Sequence, residues 1–561
     1  MNSKSNAVVR LVTQFSGAKN NKLHKCQQFI SASSWHNNSK CQLHTSNQRS
    51  AIEATTLKAE EVKSFKEIPG PKALPVIGSA WKFLPYVGEF HGLGAMAMHR
   101  KMYKKYGSIV RLEGFPGRPS MVVLFRPEDV ETTLRNEGPW PIRSGMQGMQ
   151  YYRNVTRKDF YKGGSGVLVE NGEKWGDARS KVNPPMMQPR ISKQYIQPIG
   201  GVAQDFVERM RRIRDQKDEL PPDFINDLFK WSLESIAYVA LDTRLGCLAP
   251  NLPPDSEPQK MINAVGDFFD CIFSLEVEIP FWKIYPTATW KRFVNALDIF
   301  LEVSVKHVNA AIAHSDKRKA EGETRVSDMS VLERLLTRMS PKEATIMAQD
   351  MLFGGIDTTS YAMAAALGLM TKNQDKQELL FGELKRLLPN KNDAITEDKL
   401  EDMKYLKACL KESIRILPIV PGNLRCTVKD TVLSNYNVPK GTNIIMPSII
   451  SVTSDEIFPQ SKRYIPERWL KMRPTEETAG NIEDFDAVNG SKRHPFSFLP
   501  FGFGPRSCVG RRFAELETEI LLAKIIRNFK VEYHYGEITF ENKILTMPKV
   551  PLQLKITERD S

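Results

Sequence analysis

At 561 residues the chain is long enough for one large domain or two to four ordinary ones, and its 41% apolar content is an ordinary globular share. Its seven cysteines (Cys26, Cys41, Cys247, Cys271, Cys409, Cys426 and Cys508) are scattered without a CxxC pair, which argues against a disulfide framework or a structural zinc site. The net charge of +14 points to an acidic partner or an anionic surface, and no zinc finger or Arg-rich tract supports nucleic acid as that partner.

From Met1 to Ile52 there is no Asp or Glu, while Lys4, Arg10, Lys19, Lys22, Lys25, Lys40 and Arg49 supply positive charge among abundant Ser and Asn. That composition is the one expected of a mitochondrial transit peptide, so residues 1–52 are assigned to it and 53–67 to a linker. No apolar run reaches 18 residues, so any membrane contact is expected to be peripheral.

Ile68-Pro-Gly-Pro71 and Leu74-Pro-Val-Ile-Gly78 hold the entry to the folded part extended. Residues 108–113 and 120–125, separated by Gly114, Pro116 and Gly117, predict a hairpin. Helical patterns dominate after Pro127. Trp175 and Arg179 stand four apart on one helix face, where an indole N–H and a guanidinium can reach one carboxylate together. Phe281, Trp282, Ile284, Tyr285 and Trp290 interleave with Lys283, Lys291 and Arg292, a mixture suited to a membrane interface, though aromatic core packing also accommodates it.

Residues 344–370 read as a long buried helix. Inside it, Gly354-Gly-Ile-Asp357-Thr358-Thr359 lowers helix propensity, a violation that often marks function. Glycine lets a small ligand lie against the backbone, a Thr hydroxyl can donate to it, and an adjacent Asp can relay protons. The structural alternative is a kinked core helix whose Thr bonds back to its own carbonyls. Further on, Glu412 and Arg415 are spaced for an ion pair, and Lys404, Lys407 and Lys411 share their helix. Strands are expected near 427–433 and 442–446, across a Pro439-Lys-Gly441 turn, and at 531–535 and 552–556. The fold class is therefore mainly α with small β-sheets.

The sharpest segment is Phe501-Gly-Phe-Gly504-Pro-Arg506-Ser-Cys508-Val-Gly510-Arg511-Arg512-Phe513-Ala514. Glycine and proline forbid regular helix before Cys508. After it, Phe513, Leu516, Ile520 and Ala523 recur at helical spacing. The sulfur thus sits where a loop enters a helix, and free amides and the positive helix end both favour a thiolate there. Arg506 can neutralise a nearby anion.

This segment resembles the haem-binding loop of the cytochrome P450 family, Phe-x-x-Gly-x-Arg-x-Cys-x-Gly-x-x-x-Ala, at every fixed position. The likeness runs from about Ile68 to the C-terminus. Through Gly138-Pro-Trp-Pro141, Tyr151-Tyr-Arg153 and the Asn183–Pro189 stretch, it is nearest the insect mitochondrial branch associated with xenobiotic and hormone oxidation. It implies the cytochrome P450 fold over residues 68–561, with haem b between the long central helix and the Cys-bearing loop. By that resemblance Cys508 is the axial thiolate, Trp175, Arg179, Arg425 and Arg506 meet the propionates, and Phe501 belongs to the cofactor contacts. Thr358 would hydrogen-bond dioxygen and Asp357 would pass it protons. Glu412, Arg415 and Arg468 would form a structural network.

The function so implied is insertion of one oxygen atom from O2 into a lipophilic substrate, a xenobiotic such as an insecticide or a steroid hormone. The chain carries no dinucleotide fingerprint and no iron–sulfur cysteine cluster, so electrons must come from another protein. An acidic ferredoxin, fed by a NADPH-dependent reductase, would dock on Lys407, Lys411, Arg511 and Arg512, on the matrix side of the inner mitochondrial membrane. The alternatives are a haem-thiolate isomerase or dehydratase, which needs no electron donor, and a non-catalytic haem-binding sensor.

Overall fold

The longest buried helix begins where its sequence provides a cap. Ser340 Oγ accepts from the Glu343 amide at 3.3 Å, and the Glu343 carboxylate accepts from the Ser340 amide at 2.8 Å. With Pro341 at the first turn, this reciprocal cap starts a helix that runs to Lys372. At 32 residues it is about 48 Å long. It is buried on almost every face, as an interior helix without a polar stripe must be. The computed structural model describes residues 62–560 apart from 116, 163, 278–279, 323–328 and 471–492. The expected transit peptide and the linker as far as residue 61 lie outside these.

The other helices are laid around this axis. Phe224–Leu241 packs along it, Lys404–Ile416 and Arg511–Asn528 also lie against it, and Glu257–Val277 with Ala288–Ala320 form a paired roof. Ser232, on the Phe224–Leu241 helix, shares its hydroxyl between the carbonyls of Gly355 (2.7 Å) and Ile356 (2.8 Å). The axis is thus supported from outside at its glycine pair. Gly355 is a packing glycine: a Cβ there would meet Ile236 at 2.7 Å.

Among the described residues, one four-stranded sheet and three two-stranded ribbons accompany the helices. The expected hairpin is β1 (Ile109–Leu112) against β2 (Met121–Leu124), antiparallel. β3 (Gly422–Cys426) comes next in sequence. β4 (Thr431–Leu433) and β5 (Tyr436–Val438) then form a small ribbon. After the Pro439-Lys-Gly441 turn, β6 (Asn443–Pro447) pairs parallel with β2 and antiparallel with β3, giving the order β1-β2-β6-β3. The strand expected at 427–433 is thus divided. Its chain enters the large sheet earlier, at Gly422, which pairs with Pro447 so closely that a Cβ would lie 2.7 Å from the Met446 carbonyl. The late strands fall at β7 (Phe529–Glu532) and β10 (Lys555–Glu558), with a β8–β9 hairpin (Phe540–Asn542, Thr546–Pro548) between them. The end of the linker is already part of the fold: the Lys63 amide donates to the Asn435 carbonyl at 3.0 Å and the Asn437 amide to the Lys63 carbonyl at 2.9 Å.

Glu412 lies at the centre of a network whose charged side chains, Glu412, Arg415 and Arg468, are fully buried. Arg415 donates to both its oxygens (2.8 and 2.7 Å), Arg468 Nε to Oε1 (3.0 Å), Trp469 Nε1 to Oε2 (2.9 Å) and the Ile465 amide to Oε1 (3.0 Å). Arg415 also donates to the carbonyls of Val452 and Ser461, each at 2.8 Å. This ties the Lys404–Ile416 helix to the loops that follow β6. The network matches the expected structural role of Glu412, Arg415 and Arg468, and adds Trp469 to it. A buried charge cluster of this kind tolerates the loss of a partner poorly, because the remaining charge cannot reach water. Arg415→Ala is therefore expected to lower unfolding free energy by about 3–5 kcal/mol, read from urea denaturation. A loss within about 0.5 kcal/mol, typical of an exposed surface change, would remove the network from the scaffold.

Candidate functional site

The loop that carries Cys508 is closed by its own backbone. The Cys508 amide donates to the Phe501 carbonyl at 2.8 Å, and Gly502 and Gly504 take φ of +72° and +71°, which glycine adopts without strain. A short 3-10 turn, Gly504–Arg506, leads into the sulfur-bearing residue, and the helix Arg511–Asn528 begins three residues beyond it. Cys508 is accessible yet deep within the protein, so its thiol opens onto interior space rather than bulk water. Burial pushes the free thiol up, while the Gly510 amide and the Arg179 and Arg511 guanidiniums favour the thiolate. A cation bonded to the sulfur would decide that contest for the anion.

The central helix presents a window of its own at Gly354, Gly355 and Thr358, in an otherwise closed surface. Gly354 has nothing within 4 Å of where its Cβ would be. Thr358 Oγ1 donates back to the Gly354 carbonyl at 2.7 Å, the bond expected of the structural alternative, from a position at the open side of the helix. Asp357, on the same turn, is 2% exposed and its Oδ2 has no hydrogen-bond partner. Burial, with the negative charge of Asp270 from the roof helix, pushes its carboxyl up to about 7. An acid so placed holds its proton near neutrality.

A cluster of guanidiniums adjoins the loop. Arg506 donates to the carbonyls of Pro141 (3.0 Å) and Glu170 (2.7 Å) and to Asn171 Oδ1 (2.8 Å), and its guanidinium carbon lies 4.0 Å from the centre of the buried Trp175 ring. Arg179 donates to the Ser507 carbonyl at 2.7 Å and to Asn183 Oδ1 at 2.6 Å. Arg143, which the sequence reading did not select, donates to the Leu168 carbonyl at 2.5 Å. Arg425, expected at a propionate, is bonded to Glu137 and to the carbonyls of Leu424 and Phe503. Phe501 turns its ring towards Arg511, 5.3 Å away.

These cations strain one another. Burial, then Arg143, Arg425 and Arg179, bring Arg506 down to about 9. Burial, then Arg425 and Arg179, bring Arg143 to about 10, and burial brings Arg179 to about 10. Glu137 is already bonded to Arg425, and Asp350, which acts on Arg143, is paired with Arg153 at 2.6 Å. A buried excess of positive charge beside an accessible sulfur fits a ligand with anionic groups at its edge and a metal at its centre. Haem has that form: its propionates match the guanidiniums and its iron the thiolate.

The comparisons agree with this geometry. The family description "Cytochrome P450" matches residues 69–556. The chain belongs to the cytochrome P450 family. It is 38% identical over 510 residues to a probable cytochrome P450 49a1 of Drosophila melanogaster, covering 91% of this chain and 85% of that protein. To a probable mitochondrial cytochrome P450 12a5 of the same fly it is 40% identical over 501 residues, 89% and 92% of the two chains. To cytochrome P450 CYP12A2 of Musca domestica it is 37% identical over 517 residues, 91% and 94%. The protein is thus a cytochrome P450 monooxygenase whose cofactor is haem iron ligated by a cysteine thiolate.

A surface cleft of about 590 Å³ lies elsewhere, between the Gly172–Met187 helix and the start of the central helix; neither Cys508 nor Thr358 lines it. The aromatic segment beside the roof is divided by the fold. Phe281, Ile284 and Tyr285 are exposed, while Trp282 and Trp290 are buried and stacked at 4.6 Å with Tyr151 edge-on to both. The two tryptophans, expected at an interface with the rest, are core residues because stacking buries far more ring than the surface would. Among the residues missed, Arg143 had a signal in the Pro-braced stretch Gly138–Pro141 just before it. Glu137, Ser232 and Asp270 had none, because their partners are distant in sequence.

The two glycines of the central helix are expected to behave differently. Gly355→Ala should cost about 1–3 kcal/mol through overpacking on Ile236. Gly354→Ala should unfold no lower than the parent, yet change the spectral titration of small haem ligands. Thermal unfolding with azide or imidazole titration checks both, and equal effects at the two sites would reject the assignment.

Proposed function

We propose that this P450 works in the mitochondrial matrix, takes electrons one at a time from an acidic ferredoxin, and oxidises a lipophilic substrate of the xenobiotic or steroid class. The observation that carries the donor is the basic face beside the Cys508 loop. Lys407 and Lys411 act on Glu519 of the helix that begins at Arg511, so both basic segments border one surface. Arg511 pairs with Glu515 at 2.9 Å, and Arg512 donates to the Met187 carbonyl, both remaining exposed. Acids are therefore interleaved with the basic groups, which sets a register for an anionic partner beyond plain attraction. Relatives that carry "mitochondrial" in their names support the compartment, as does the acid-poor segment 1–52. For the substrate, Phe353, beside Gly354, packs among Phe268, Phe269 and Phe300, an apolar roof suited to a lipophilic molecule.

No helix among the described residues is long and apolar enough to cross a membrane. Phe281, Ile284 and Tyr285 on one side, and Val76, Tyr86 and Val87 on the other, remain exposed. The two groups border the β1–β2 turn, through Gly117 against Pro280 and Gly78 against Gly114. That edge is the proposed peripheral membrane contact.

Haem with a thiolate ligand supplies the oxygen-activating chemistry. In this reading Trp175, Arg179, Arg506 and Arg143 hold it, Cys508 is the ligand, and Gly354 leaves room beside the helix. Thr358 turns its hydroxyl from the Gly354 carbonyl to the bound small molecule, and Asp357 delivers protons to that hydroxyl. Residues of the roof exclude water from the same space.

The donor is tested by Lys407→Gln with Lys411→Gln. Reduction by ferredoxin should slow by about tenfold or more at low salt, with a flatter salt dependence, in stopped-flow measurements. Unaltered ferredoxin kinetics would refute the docking face. The relay makes a separate demand. With Asp357 near 7, the proton-holding form predominates below that pH, so coupling of electron use to product should fall as pH rises through about 7. Asp357→Asn should lower coupling and flatten that profile, and a parent-like profile in the variant would exclude Asp357 from proton delivery.

A further inference from the structure

Two buried hydroxyls behind the window at Gly354 are used reciprocally. Ser232, on the Phe224–Leu241 helix, and Ser360, on the central helix, are both fully buried. Ser232 Oγ shares its one proton between the Gly355 carbonyl at 2.7 Å and the Ile356 carbonyl at 2.8 Å. Ser360 Oγ answers from the other side, sharing its proton between the Ile356 carbonyl of its own helix (2.7 Å) and the Leu228 carbonyl of the neighbour (3.0 Å). Leu228, Ser232 and Ile236 stand four apart, so one face of the Phe224–Leu241 helix makes both bonds. The same face fills the space left by Gly355, where a Cβ would lie 2.7 Å from Ile236. The clamp so formed spans Gly355 to Ser360, the stretch that carries Asp357 and Thr358.

These bonds are unequally placed around the axis. On the packed side, the Gly355 and Ile356 carbonyls are held by a neighbouring helix. On the open side, the Gly354 carbonyl takes the Thr358 hydroxyl of its own helix at 2.7 Å, and nothing lies within 4 Å of a Gly354 Cβ. A carbonyl drawn towards an outside donor tilts out of the helical ladder, and a hydroxyl that bonds four residues back bends the helix in the same way. Two adjacent glycines make bending there easier still. With the rear fixed by Ser232 and Ser360, that freedom is confined to the front, where the Thr358 hydroxyl lies.

We propose that Ser232, with Ser360, is a positioning residue for oxygen activation: the clamp fixes the turn from Gly354 to Thr358, so that the Thr358 hydroxyl, once released from the Gly354 carbonyl, points to one place. Ser232 touches neither cofactor nor substrate and acts through Thr358. This rests on the reading of Thr358 as the hydroxyl that meets the bound small molecule, which Thr358→Ala tests by itself.

The test uses the haem-loaded full chain without substrate and two readouts other than turnover: amide hydrogen exchange over residues 354–360, followed by mass spectrometry, and the rate at which dithionite-reduced protein reoxidises in air. Ser232→Ala should speed exchange in this segment by about tenfold and reoxidation by about threefold or more. Ser360→Ala removes the reciprocal bond and should do the same, and it decides the matter if Ser232→Ala binds no haem. Ser235→Ala is the control. Ser235 lies on the same helix, is equally buried, and its hydroxyl has no hydrogen-bond partner, so neither readout should move. Because Ser232 acts through Thr358, adding Ser232→Ala to Thr358→Ala should speed reoxidation no further than Thr358→Ala alone. Faster exchange with reoxidation at the parent rate marks a merely structural serine and overturns the proposal, as does an equal effect of Ser235→Ala or an additive double variant. Parent-like reoxidation in Thr358→Ala overturns the reading of Thr358, and the proposal with it. Faster reoxidation in Thr358→Ala beside a parent rate in Ser232→Ala overturns the clamp alone.

Discussion

The bond from the Cys508 amide to the Phe501 carbonyl is the constraint on which the site depends. A sulfur can ligate a metal at a fixed position only if its backbone cannot drift. Here one hydrogen bond closes the loop before the sulfur, and a helix begins just after it. Everything else in the loop makes that closure feasible. Gly502 and Gly504 accept positive φ, and Gly504 also lets the Glu137 carboxylate approach. The Glu412 network then immobilises the neighbouring Lys404–Ile416 helix from behind, with both hydrogen-bonding ends of each charge satisfied.

The central helix solves a different problem. A long interior helix with two adjacent glycines is prone to bend, yet it holds an open window at Gly354. The two glycines divide the work. Gly355 lets the Phe224–Leu241 helix come close enough for Ser232 to bond the axis from the side, and Gly354 keeps the facing surface open. The Thr358 back-bond to Gly354 belongs equally to the kinked-helix and the functional description. The two descriptions are compatible, because a hydroxyl parked on its own carbonyl is already at the rim of the opening.

Features set by local chemistry were legible in the sequence. The β1–β2 hairpin follows from its turn residues, the Cys508 loop from its glycines, and Glu412 with Arg415 from their spacing. Features set by partners far along the chain were not. β3 contains Gly422 and Asn423, poor strand formers, and exists because β6 pairs with it. Trp282 and Trp290 share the composition of an interface segment with Phe281 and Tyr285, and only the stacking of one on the other separates core from surface. The pairing of Arg425 with Glu137 joins residues 288 apart in the chain, which no spacing in the sequence signals.

Two buried carboxyls show how environment divides one chemistry between two roles. Asp357 meets burial and the negative Asp270, with no cation acting on it, so it keeps its proton close to neutrality. Burial raises the Glu137 carboxyl as well, but there Arg425 and Arg506 oppose the rise. In the proposed relay, the acid with an unbonded oxygen beside the helix opening gives its proton away. The acid locked to a guanidinium is an ion-pair partner instead. The difference is one cation within hydrogen-bonding reach. It explains why the helix that carries Asp357 has no arginine or lysine between Lys342 and Lys372, while the propionate side of the protein is crowded with them.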